Sequence, residues 1–96
     1  MLREQVHKLQ DAIDSNKKFA RAYLFLAKAY CDLNENYEEA IDHAKKGLKL
    51  DSEADSAPLG HYILADIYNR LGRHEDYSSE LQKGKLLEKK IKSLKK

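Results

Sequence analysis

The side chains that could do chemistry are few and scattered. His7, His43, His61 and His74 are the imidazoles, and Cys31 is the one thiol. No two histidines stand one helical turn apart, and Cys31 has no second cysteine. A zinc-ligand pair and an internal disulfide are therefore both excluded as local motifs. Asp32 or Asp66 with Tyr62 has the residue types of an acid–base pair. No Gly-rich phosphate loop and no nucleophile elbow accompanies them, so they read as rungs of a surface ladder. His61 reads as a half-buried packing residue. The chain is expected to be no enzyme and to need no metal or cofactor, which leaves recognition as its chemistry.

Recognition residues need elements to hold them, and the hydrophobic spacing predicts five helices. The first runs from about Leu2 to Asp14, with Val6, Leu9, Ala12 and Ile13 as its apolar stripe. Ser15-Asn16 ends it and offers a cap to the next. The second covers about Lys18 to Leu33. Phe19, Tyr23, Leu26, Ala27 and Tyr30 share one face, and Leu24, Phe25 and Ala29 widen the apolar arc, so neighbours are expected on more than one side. Asn36 is placed to cap a third helix reaching Leu50, with Glu39 completing a capping box. Its inward residues are Tyr37, Ala40, Ile41, Ala44, Gly47 and Leu48. Asp51 to Ala57 is a loop, and Ser56-Pro58 starts a fourth helix that runs to Leu71 before Gly72 closes it. A fifth begins near His74, with Glu75 and Asp76 suited to its first turn, and has no stop signal before the terminus.

The helices repeat. Leu26-Ala27-x-x-Tyr30 returns as Leu64-Ala65-x-x-Tyr68, 38 residues on. Ile41, Ala44, Gly47 and Leu50 return as Ser78, Leu81, Gly84 and Leu87, 37 residues on. Leu9-x-x-Ala12-Ile13 matches Ala44-x-x-Gly47-Leu48 at an offset of 35. A parent period of about 34, with one residue inserted at Asn34-Glu35-Asn36 and three at Asp55-Ser56-Ala57, accounts for every offset. Such a period marks a stacked helical array.

These residues resemble the tetratricopeptide repeat. One unit carries Tyr23, Leu26, Ala27, Tyr30, Tyr37, Ala40, Ala44, Gly47, Leu48 and Leu50. The next carries His61, Leu64, Ala65, Tyr68, Gly72, Leu81 and Gly84. Ala44, Ser52, His61 and Tyr77 depart from the family pattern. The resemblance implies an all-α superhelix of hairpins: a half repeat over 1–16, a repeat over 17–54, and a repeat with an extended last helix over 55–96.

It also implies a concave groove lined by the first helix of each hairpin, receiving a peptide or partner helix. The groove residues would be Arg21, Leu24, Lys28, Cys31, Asp32, Leu59, Tyr62, Asp66, Asn69 and Arg70. The 38-residue shift sets Leu24 beside Tyr62, Lys28 beside Asp66 and Asp32 beside Arg70. Two opposite-charge pairs leave the groove nearly neutral. The Lys and Asn pair with which some family members clamp a carboxylate is missing, so an apolar anchor at Leu24, Leu59 and Tyr62 is expected.

Net charge is +2 overall, yet Lys83 to Lys96 holds seven Lys and one Glu, a net of +6 that leaves −4 for the rest. This Lys-rich helix offers a second reading, electrostatic contact with nucleic acid. It lacks aromatics for base stacking, and a solvated capping helix is the plainer reading. Val6 and Leu9 at one end, and Leu87 and Ile91 at the other, offer a third, self-association. No run is apolar and long enough to span a membrane. With no signal-peptide pattern and one lone cysteine, a cytoplasmic protein partnering other proteins is expected.

Overall fold

A computed structural model describes residues 2–51 and 57–94. Among these residues the chain forms five helices and no strand. They are α1 (Leu2–Ser15), α2 (Ala20–Asp32), α3 (Tyr37–Leu50), α4 (Ala57–Arg70) and α5 (His74–Leu94). The expected boundaries agree to within two residues. The proposed start signal at Ser56 and the end of the Lys run at Lys95 and Lys96 lie outside the described residues, as do Ser52 and Asp55.

The helix ends show the repeat again. At the end of α4, Gly72 takes φ 75°. Its N–H donates to the Asn69 carbonyl (3.1 Å), and the Arg73 N–H donates to the Tyr68 carbonyl (2.8 Å). At the end of α2, Asn34 takes φ 56°. Its N–H reaches the Cys31 carbonyl at 3.0 Å, and the Glu35 N–H reaches that of Tyr30 at 3.3 Å. Both are Schellman closures, which need one residue in the left-handed region. Glycine enters that region freely, and asparagine is among the few other residues that tolerate it.

Two expected caps are corrected. Asn36 stands at the N-cap of α3, but in the left-handed conformation and with no side-chain capping bond. A side-chain cap needs an extended N-cap residue, and here only the Asn36 carbonyl serves, accepting from the Ala40 N–H at 2.9 Å. Asn16 closes the turn ahead of α2, its Oδ1 accepting from the Lys18 N–H at 3.1 Å. The N-cap itself is Phe19, which offers no side-chain acceptor.

Helix α2 packs on α1, α3 and α4, and α4 packs on α2, α3 and α5. Among the described residues the backbones of α1 and α3 do not pack closely, nor do those of α3 and α5. The result is two layers, α2 and α4 in one, α1, α3 and α5 in the other. The least dimension, 21 Å, is two helix diameters. Leu24, Leu26, Leu64 and Ile67 are the largest fully buried side chains. Ala27, Ala40 and Ala44 let the backbones approach between them, each with no exposed surface.

Leu24 is corrected from groove lining to core, being only 2% exposed. Its side chain wedges between two glycines. A Cβ on Gly47 would come within 2.8 Å of Leu24 Cδ2, and one on Gly60 within 2.9 Å. Phe19 is corrected the other way. It stands before the first helical residue, so the helical period does not govern its direction, and it is exposed.

Candidate recognition cleft

Helices α2 and α4 lie side by side, and the seam between them opens into a cleft of about 200 Å³. Lys28, Cys31 and Asp32 come from α2, and Leu59, Tyr62, Ile63 and Asp66 from α4. Six of the ten expected groove residues thus meet in one place. Arg70 adjoins them through Asp66. Arg21 and Asn69 are exposed but are not among the lining residues. Ile63 was missed by the sequence reading. Its spacing from Leu59, one turn on along the same face, was the signal that could have found it.

The charges pair along each helix and not across the cleft. Lys28 Nζ donates to Asp32 Oδ2 at 2.8 Å, and Arg70 Nε donates to Asp66 Oδ1 at 3.3 Å. Residues four apart on a helix are already neighbours, so these pairs form without a bridge between helices. The expected Lys28–Asp66 and Asp32–Arg70 ion pairs are corrected accordingly. Arg70 instead crosses to the C-terminal end of α2, where Nη1 donates to the Cys31 carbonyl at 2.8 Å and to Asn34 Oδ1 at 2.6 Å. Tyr37 donates its hydroxyl to the same Asn34 oxygen.

Cys31 lies in the floor of the cleft, 2% exposed. Its thiol donates to Asp66 Oδ2 at 3.2 Å. Burial first, and then the bond to that carboxylate, push the thiol up to about 12. A thiol so disposed stays protonated and is a poor nucleophile and a poor metal ligand. Among the described residues, no group of three or more His, Cys, Asp and Glu is arranged to hold a metal ion.

Tyr62 is half-buried, and its ring lies over Gly84 of α5, where an added Cβ would come within 2.7 Å of Cε1. The expected pairing of Leu24 beside Tyr62 in the groove is corrected, since Leu24 is packed between Gly47 of α3 and Gly60 of α4 while the Tyr62 ring lies against Gly84 of α5. His61 joins the same pair of helices through a 2.7 Å contact with Glu80. His43 belongs to the opposite layer, stacked on Tyr30 with centroids 5.8 Å apart and tilted against Tyr23 at 6.2 Å.

The Lys-rich part of α5 carries some of its own counter-charges: Lys83 pairs with Glu80 and Lys92 with Glu88. Leu86 and Leu94 stand exposed among the lysines, and Leu87 and Ile91 are half-buried. Among the described residues no helix is long and apolar enough to cross a membrane. Comparison with family models, curated proteins and solved structures gives no match.

Proposed function

We propose that this chain is a non-catalytic recognition module of the tetratricopeptide kind, which holds a peptide or a partner helix across the α2–α4 face. The observation that carries the reading is the cleft itself. Its lining is apolar at Leu59, Tyr62 and Ile63, beside Cys31, and its charges are already neutralised in pairs. At about 200 Å³ it is smaller than the roughly 300–1,000 Å³ of small-molecule sites and suits one anchoring side chain of a longer ligand. The repeated helices and their repeated Schellman closures support the family likeness. The inert thiol and the paired carboxylates supply no activated nucleophile or base, which weighs against catalysis.

The test is selection from a random peptide library on the intact chain. Enriched peptides should share one apolar anchor and bind Leu59→Asp at least about tenfold more weakly. Added salt should change their affinity little, because the rim offers no uncompensated cluster of one sign. No enrichment, or binders indifferent to Leu59→Asp, would end this reading.

A further inference from the structure

The repeat allows each position of one unit to be compared with its counterpart in the next, and along the α1–α2 side the comparison fails at several positions. Phe25 stands 38 residues before Ile63, and Ala29 stands 38 before Ile67. Ile63 is 6% exposed and Ile67 is fully buried; Ala29 is covered like its counterpart, at 4%, yet Phe25 is 39% exposed. On α1 the offset is 35. Gln5 and Leu9 correspond to Ala40 and Ala44, both fully buried, while Gln5 is exposed and Leu9 only half-buried.

The cause of the difference is visible. Ala40, Ala44, Ile63 and Ile67 form the groove between α3 and α4, in one core cluster with Leu24, Ala27 and Cys31 of α2, the helix that fills that groove. The equivalent groove between α1 and α2 is unfilled among the described residues. It is an opening of about 400 Å³ lined by Gln5, Lys8, Leu9, Phe25, Lys28, Ala29 and Asp32, twice the size of the α2–α4 cleft at about 200 Å³.

We propose that the α1–α2 groove is a docking site for one amphipathic helix of a partner protein, seated there as α2 is seated between α3 and α4. Two observations choose this occupant. The groove continues the interface that α2 already makes one repeat on, and that interface is filled by a single helix. Its charge then selects among helices. Lys8 and Lys28 stand on its two walls. Lys28 is compensated by Asp32, while Lys8 makes no salt bridge among the described residues. A helix with apolar residues one turn apart and acidic flanks complements this site, and a Lys-flanked helix does not. The site is separate from the α2–α4 cleft. The Lys28–Asp32 pair belongs to the linings of both and forms the ridge between them.

Two synthetic 18-residue helical peptides test the proposal against the intact, isotopically labelled chain. Both carry the apolar face of α2, one with Glu flanks and one with Lys flanks. The Glu-flanked peptide should shift the amide signals of Leu9, Phe25 and Ala29, and it should bind several-fold more tightly than its Lys-flanked twin. Phe25→Glu should weaken it by at least about tenfold, and Leu9→Gln should weaken it as well. Phe25 is exposed enough that its replacement leaves the fold intact, which circular dichroism checks. Leu59→Asp should leave this binding unchanged, so failure here and failure of the cleft reading are told apart. Three outcomes overturn the proposal: no binding of either peptide, shifts confined to Leu59, Tyr62 and Asp66, or sedimentation of the free chain as a dimer that Phe25→Glu dissociates. The last would make a second copy the occupant.

Discussion

Arg70 Nη1 donates to the carbonyl oxygen of Cys31 at 2.8 Å, across 39 residues of sequence. The last turn of α4 thereby holds the carbonyl end of α2, where a cation complements the helix dipole and adds a second donor to a carbonyl that already accepts from the Asn34 N–H. The same guanidinium meets Asn34 Oδ1 and Asp66 Oδ1. One side chain fixes the spacing of the two helices that form the cleft.

Arg70→Met should therefore cost about 1–2 kcal/mol, below the roughly 1.5–3 kcal/mol of hydrogen bonds to charged groups because Arg70 is partly exposed to solvent. Arg70→Lys should recover only part of it, because a single ammonium cannot reach three acceptors in fixed directions. Chemical denaturation of the three proteins measures both. Equal stability of wild type and Arg70→Met would show that water replaces the clasp at no cost.

Gly47 and Gly84 occupy equivalent repeat positions but should respond differently to alanine. At Gly47 an added Cβ would come within 2.8 Å of Leu24 Cδ2 and 2.9 Å of the Ala20 carbonyl oxygen. Neither can move, since Leu24 is buried and the oxygen is backbone. Gly47→Ala should lose about 1–2 kcal/mol, overpacking outweighing a helix-propensity gain of up to about 1 kcal/mol. At Gly84 the clash is with the ring of half-buried Tyr62, at 2.7 Å. The ring can swing outward, so Gly84→Ala should change stability little and displace the Tyr62 ring signals in NMR. Similar losses in both variants would refute this distinction.

His43 should make the protein acid-sensitive. Burial holds its imidazole below the ordinary 6.5, with Lys46 acting the same way and Glu39 and Asp42 opposing. The sign follows from proton binding. Near neutral pH the imidazole is uncharged in both folded and unfolded chains. As pH falls through 6.5 the unfolded chain takes up a proton first, so unfolding is favoured and stability declines. The decline stops once the folded imidazole is also protonated. His43→Phe keeps a ring between Tyr23 and Tyr30 and removes the titration. Its stability should fall less than that of wild type between pH 7 and about pH 5, above most carboxylate titration. Parallel pH profiles would sink the idea.

Parts of the site could be read from the chain because they depend on one helix at a time. Lys28, Cys31 and Asp32 lie on one face of α2, and Leu59, Tyr62 and Asp66 on one face of α4; spacing alone places them so. Leu24 could not be placed that way. Its position on the wheel borders both the groove and the core, and only the approach of Gly47 and Gly60 decides that it is covered. The reach of Arg70 was equally hidden, since a long side chain can choose between a carboxylate one turn away and a carbonyl on another helix.

The amino-acid order by itself determined the number of helices, their approximate ends and their repetition. These follow from local causes: the apolar period, a glycine or asparagine able to turn left-handed, a proline near a helix start. What only the tertiary structure decided is which apolar positions are covered and which charges meet. Phe25 and Ile63 have the same place in the repeat and opposite fates. Burial is a property of what lies opposite a residue, and a helix's own sequence does not contain its neighbour.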